Sequence, residues 1–172
     1  LFGYTGTLHP DRLDLNLLES LILTTRGSIA LIGPNHLSPD QVARLTARGN
    51  LHLTGPVPYR DIPLYMQALD VCITPHRLSP FTESLNPIKL FEYLAAGKPI
   101  VSTPVPGFRD HPRLVSLATT PEEFQASMNQ ALNEPPPKRD LRRKEAARHS
   151  WSARVDQLET VLACLSPAVS RA

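Results

Sequence analysis

Residues 86–103 read NPIKLFEYLAAGKPIVST, and within them Lys89 and Glu92 stand three positions apart. Asn86 and Pro87 have the character of a helix N-cap and first helical residue, and Gly97 with Pro99 ends the pattern, so a helix is predicted over 87–97. Lys89 then falls in the first turn, where the helix dipole is positive and a cation costs roughly 0.3–1 kcal/mol. An anion at the same helix start would explain the lysine, because free backbone N–H groups, the dipole and the ammonium would all face it. Glu92, nearly one turn deeper on the same face, could accept hydrogen bonds from a polyol next to that anion. Phosphate with sugar hydroxyls describes a nucleotide. The plain alternative is a surface Lys–Glu pair contributing about 0.2–0.5 kcal/mol, and residue chemistry alone weighs the two evenly.

These residues need a scaffold that brings them to a cleft. Apolar strand-like runs at 1–6, 28–33, 51–55, 70–75, 99–103 and 114–118 alternate with helical spacing at 14–25, 38–49, 59–69 and 87–97. Buried strands alternating with crossover helices predict a doubly wound α/β domain with a mostly parallel sheet, a Rossmann-like arrangement that binds ligands at the carboxyl ends of its strands. A further helix is expected from 121, after which PPPK breaks the chain and two more helices follow. The expected division is a nucleotide-binding domain at 1–135 and a helical tail at 136–172 packing on it, with Trp151 as the anchor. Leu1 opens directly into a strand-like run, from which a preceding domain is expected.

Composition excludes several classes. With 41% hydrophobic and 20% charged residues and a net charge of only +2, the chain reads as a globular domain and not as a nucleic-acid binder. No apolar run approaches the roughly 18 residues of a membrane span. Cys72 and Cys164 lack metal-ligand spacing and are expected to be reduced core thiols, in keeping with a cytoplasmic compartment. Residues 138–154 carry seven Lys or Arg against two Asp or Glu; a solvated helix face is expected, with peripheral contact to anionic lipid as the alternative. His9, His36, His52, His76, His111 and His149 are scattered without ligand-like spacing, and His76 alone follows a strand end. The chain holds no G-x-G-x-x-G, no G-x-x-x-x-G-K-[ST] and no G-x-S-x-G, which argues against a dinucleotide fingerprint, a P-loop hydrolase and a serine hydrolase.

The 86–103 segment resembles the signature of family-4-like GT-B glycosyltransferases, in their C-terminal, donor-binding half. The matching positions are Asn86, Pro87, Lys89, Glu92, Tyr93, Ala95, Gly97, Pro99, Ile100 and Val101. The similarity extends to GYTGTL near the start, LTGPVPYRDIPLYMQALDVCITP in the middle and HSWSARVDQL towards the end. By that resemblance Glu92 would bond the ribose of a nucleotide-diphosphate sugar, and Lys89 with Leu85, Asn86 and the amides that follow would hold the diphosphate. The loop GPVPY, with Val57 and Tyr59, would hold the base; Gly6 and Thr7 would approach the phosphates or the acceptor; Arg77 would add positive charge.

Two positions depart from the family pattern. The first glutamate of its Glu-x7-Glu pair falls on Ser84, with Glu83 one place off, and the loop LHPDRLD carries Arg12 as its only fixed cation. Lys89 with Arg77 is the expected replacement for the usual phosphate clamp.

The resemblance implies transfer of a sugar from a UDP- or GDP-sugar to a hydroxyl of a glycan or lipid-linked acceptor, with retention and without a metal or other cofactor. It also implies an acceptor-binding N-terminal domain. A nucleotide-sugar 2-epimerase and a non-catalytic nucleotide-binding scaffold are the alternatives.

Overall fold

The computed structural model describes residues 1–85 and 88–165. Six parallel strands form one sheet: β1 (Phe2–Thr5), β2 (Ile29–Ile32), β3 (Leu51–Gly55), β4 (Val71–Thr74), β5 (Ile100–Ser102) and β6 (Ser116–Leu117). Their spatial order is β3-β2-β1-β4-β5-β6. The order reverses between β1 and β4, and at such a switch point the loops leaving neighbouring strands diverge and open a crevice.

The four inner strands, β2, β1, β4 and β5, are short, buried on both faces, and alternate their side chains between two cores, while the edge strands β3 and β6 are partly exposed. Phe2, Tyr4, Ile29, Leu31, Val71 and Ile73 join one core with Leu17, Leu18 and Leu21 of α1 (Leu15–Thr24) and Phe124 and Met128 of α6 (Pro121–Ala131). Ala30, Ile32, Cys72 and Ile100 join the other, with Met66 of α3 (Ile62–Ala68) and Leu90, Tyr93 and Leu94 of α5 (Ile88–Ala96). Helix starts follow local chemistry. Asp14 caps α1, and Ser38 with Gln41 and Thr120 with Glu123 form capping boxes at α2 (Pro39–Thr46) and α6. A short helix that the sequence pattern did not suggest, α4 (Pro80–Glu83), starts from another such box made by Ser79 and Thr82. At the end of α5, Gly97 adopts φ 72°, the left-handed turn that glycine tolerates. Asn86 and Pro87, the expected cap and first residue of α5, lie outside the described residues.

Beyond α6, α7 (Pro137–Arg148) packs along α5. Its basic run is not uniformly solvated. Arg142 is buried at 2% exposure, forms a bidentate ion pair with Glu134, and donates from Nε to the Leu114 carbonyl at 3.0 Å. The expected tryptophan anchor is corrected. Trp151 opens α8 (Trp151–Leu165) at 81% exposure, and Val155, Leu158, Val161 and Leu162 are likewise exposed. The reason is that α7 already covers α5, leaving α8 no core position there. Cys164 on α8 is an exposed free thiol, not a core residue, while Cys72 is buried and its pKa is pushed up to about 12 by burial. Among the described residues no helix is long and apolar enough to cross a membrane.

The Arg142–Glu134 pair makes a direct test of how α7 is held. Arg142→Ala leaves Glu134 with only the partly exposed Lys138, at 3.4 Å, and should cost about 2–3 kcal/mol in urea unfolding. Arg143→Ala, one residue along and exposed, should change stability by no more than about 0.5 kcal/mol.

Candidate functional site

The site begins where β1 runs out. Gly6 has φ 133° and Gly33, at the end of β2, has φ 140°, conformations open to glycine and strained for other residues. A side chain at Gly33 would collide with the Gly6 carbonyl oxygen, so the two strand ends can approach only as glycines. A side chain at Gly6 would collide with the Lys89 Nζ. The first turn of α5 therefore delivers its lysine against bare backbone at the carboxyl end of the central strand.

Tyrosine chemistry fixes that delivery. Tyr93, one turn after Lys89, accepts from the Thr5 N–H at 2.9 Å and lies 3.3 Å from the Thr5 hydroxyl. The Lys89 ammonium rests 4.4 Å from the centroid of the Tyr4 ring, a cation–π contact. Burial lowers the Lys89 pKa to about 8; Glu92 partly offsets this, and Arg12 adds to it. Burial raises Tyr4 to about 12, opposed by the nearby charge of Arg12. His76, in the loop after β4, is buried with its Nε2 3.2 Å from the Tyr4 hydroxyl. Burial, then Lys89 and Arg12, lower its pKa to about 3, so the ring is neutral near pH 7 and is a packing partner of Tyr4.

Lys89 and Arg12 thus act on the same two groups and on each other. The Arg12 Nε is buried and has no hydrogen-bond partner among the described residues. Two cations, one with an orphaned donor, converge at the switch point. Such an arrangement calls for an anion with several acceptor oxygens.

The sequence-expected residues divide accordingly. Gly6 and Lys89 meet as stated, and Thr7 follows with its carbonyl 3.5 Å from the Tyr4 hydroxyl. Glu92 lies farther along α5, half-buried, with its Oε1 at 3.5 Å from the hydroxyl of the exposed Tyr59. Tyr59, Ile62, Met66, Glu92 and Ala96 line a groove of about 290 Å³ between α3 and α5. Val57 is half-buried on the loop before it and packs on the same core. Leu85 lines a different cavity, beside Phe91, His111 and His149.

Arg77 is exposed and donates to the Pro10 carbonyl at 3.4 Å, while its backbone N–H donates to the Arg12 carbonyl at 2.9 Å. The cation acting on Lys89 is therefore Arg12, which sequence reasoning had noted only as the single charge of its loop. Glu83, the glutamate one place out of register, pairs with Arg109 at 2.9 Å. Ser84 turns its hydroxyl to the Phe81 carbonyl at 2.7 Å. Neither joins the Lys89 cluster.

A parallel sheet with cations near its switch point is an arrangement suited to an anionic ligand. Residues 1–134 match the family described as "Glycosyl transferases group 1", and the chain belongs to that family. It is 33% identical over 108 residues to the "Putative teichuronic acid biosynthesis glycosyltransferase TuaH" of Bacillus subtilis (strain 168), covering 62% of this chain and 27% of that protein. In structure it resembles Anabaena HepE solved with UDP (TM-score 0.75, 17% identity, 95% of this chain and 48% of that one). It also resembles S. aureus TarM (TM-score 0.73, 13% identity, 96% and 35%). The chain spans about a quarter of the curated relative and about half of HepE.

The lowered pKa of Lys89 has a consequence for stability. Its folded-state pKa of about 8 lies below the ordinary 10.5. Below pH 8 the folded state therefore carries the full cost of the charge, and the cost fades as pH rises to about 10.5. Lys89→Met should raise the urea midpoint at pH 7, by on the order of 1 kcal/mol in stability. The gain should vanish near pH 10.5, checked by urea titrations across pH.

Proposed function

We propose that this chain is the donor-binding half of a glycosyltransferase that moves a sugar from a nucleotide diphosphate to an acceptor hydroxyl in glycan or glycolipid synthesis. The observation that carries the reading is the Lys89 ammonium held against Gly6 and the Tyr4 ring at the sheet's switch point, with the Arg12 Nε on the loop after β1 without a partner among the described residues. A diphosphate supplies the negative charge and the acceptor oxygens this pair lacks. In the transfer, the bond from the anomeric carbon to the diphosphate oxygen breaks, a bond to the acceptor oxygen forms, and the acceptor proton passes to the departing diphosphate. Charge builds on that diphosphate before the proton arrives, so fixed cations beside it lower the barrier. In this reading the cations take the charge-neutralising role, and no metal is assigned to the reaction.

Glu92 takes the ribose hydroxyls, because it lies beyond Lys89 along α5 and faces the groove that Tyr59 borders. Val57 and Tyr59 flank the base. The strand-end backbone at Gly6 and Thr7, with the amides that start α5, approaches the phosphates. Arg77 adds longer-range positive charge. UDP is the favoured nucleotide over GDP, supported by HepE, which is described in complex with UDP and with UDP-glucose. The biosynthetic context of TuaH supports a glycan acceptor. Retention at the anomeric carbon follows the family resemblance.

An acceptor-binding N-terminal domain belongs to the same reading, with residues 136–172 as a tail on the donor domain and the whole acting in the cytoplasm, in peripheral contact with membrane where the acceptor is lipid-linked. The isolated chain binds nucleotide and transfers no sugar. A 2-epimerase would want titratable groups facing the donor sugar, and His76, neutral and bonded to Tyr4, serves that poorly.

Calorimetry with UDP, GDP and uridine tests the assignment. UDP should bind in preference to GDP. Lys89→Ala and Arg12→Gln should each weaken UDP about tenfold or more, equivalent to about 1.4 kcal/mol, while leaving uridine within about twofold. Glu92→Gln should weaken both. Equal losses for UDP and uridine on Lys89→Ala would remove the phosphate role, and silence towards every nucleotide would favour the scaffold reading.

A further inference from the structure

A second constellation lies behind α5, in residues the glycosyltransferase reading does not use. His111 sits in the loop after β5, and Glu145 and His149 stand four apart at the end of α7, on one helix face. The Nε2 atoms of His149 and His111 are 3.1 Å and 3.5 Å from one and the same oxygen, Oε1 of Glu145. The three donor atoms lie within 4.8 Å of one another.

The outward atoms of His111 and Glu145 are already committed. His111 Nδ1 is 2.9 Å from the Gly107 carbonyl. A carbonyl only accepts, so Nδ1 carries a proton and Nε2 is the ring atom turned to Glu145. Glu145 Oε2 accepts from Arg148 at 3.2 Å, which leaves Oε1 to the imidazoles. Phe91 of α5 stacks on the His149 ring at 4.4 Å and meets the His111 ring edge-on at 6.1 Å, so both rings are held by packing. Without a cation, His149 Nε2–H donates to Glu145 Oε1 at 3.1 Å; with that proton displaced, the same three atoms form a convergent donor set.

We propose that His111 Nε2, Glu145 Oε1 and His149 Nε2 bind a divalent transition metal, Zn2+ being the fitting ion. Tetrahedral Zn2+ with bonds of about 2.0–2.1 Å sets its ligand atoms about 3.3–3.5 Å apart, close to the two observed spacings. Two imidazoles with one carboxylate suit a borderline ion and do not suit Mg2+ or Ca2+, which want oxygen shells. The Nδ1–Gly107 and Oε2–Arg148 bonds are the outer contacts that orient such ligands. The three protein ligands leave a fourth position free for water. It opens towards a cavity of about 470 Å³ lined by Leu85, Pro106, Asp110, Arg154 and Gln157. The ion ties the end of α7 to the loop after β5, across Phe91.

The test uses the 172-residue chain stripped of metal by chelator. Competition for Zn2+ against a chromophoric chelator should give one ion per chain, and Co2+ should give the visible absorption of a four-coordinate site. His111→Gln, Glu145→Gln and His149→Gln should each weaken Zn2+ at least tenfold, while His36→Gln and His52→Gln, at exposed histidines elsewhere, should not change it. Circular dichroism without metal checks that each variant is folded. If a variant fails to fold, imidazole 15N spectra of the unaltered chain decide: Zn2+ should move the Nε2 signals of His111 and His149 only. Absence of a Co2+ spectrum, affinity that survives the double substitution of His111 and His149, or 15N shifts confined to other histidines would overturn the assignment.

Discussion

An ammonium group lodged against a bare strand end governs the arrangement of this domain's carboxyl edge. Lys89 reaches Gly6 because position 6 has no side chain, and Gly6 can sit where it does because Gly33 beside it also has none. The ring of Tyr4 receives the charge, and His76 completes the packing on the other side of the Tyr4 hydroxyl. Holding this cation close to Arg12 destabilises the empty fold, as the lowered lysine pKa records. A protein tolerates such a cost where binding a ligand of opposite charge relieves it.

The parallel topology is what brings these residues together. With order β3-β2-β1-β4-β5-β6, the loops after β1 and β4 leave the sheet side by side. They are joined there by the Leu13–His76 bridge and by the Arg77 N–H to Arg12 carbonyl bond. Helix α5, which runs from β4 towards β5 on one face, begins at this same edge, where Tyr93 ties it to Thr5. Two loops and a helix start, far apart along the chain, thus converge on one crevice.

The second core has an outer layer of its own. Helix α7 covers α5, with Arg142 and Glu134 forming a buried ion pair under its first half and Glu145 joining His111 and His149 at its end. Phe91 links the layers, contributing to the core on one side and to the imidazole cluster on the other. Helix α5 is thus packed on both sides, by the sheet in front and by α7 behind.

Much of this was legible residue by residue. Alternating apolar runs located all six strands, and helical spacing located α1, α2, α3 and α5. Such features are local: they depend on neighbours within one turn or one strand. Long-range features were not legible. Arg12 read as a lone loop charge, Arg142 as one of a basic run, Trp151 as an anchor, and His111 and His149 as scattered. The sequence by itself determined the kind of fold and the placement of most of its strands and helices, because periodicity acts over short distances. Only the tertiary structure decided which cation stands beside Lys89, which arginine is buried and which histidines share a carboxylate, because those partners meet through sheet order and helix packing and leave no spacing along the chain.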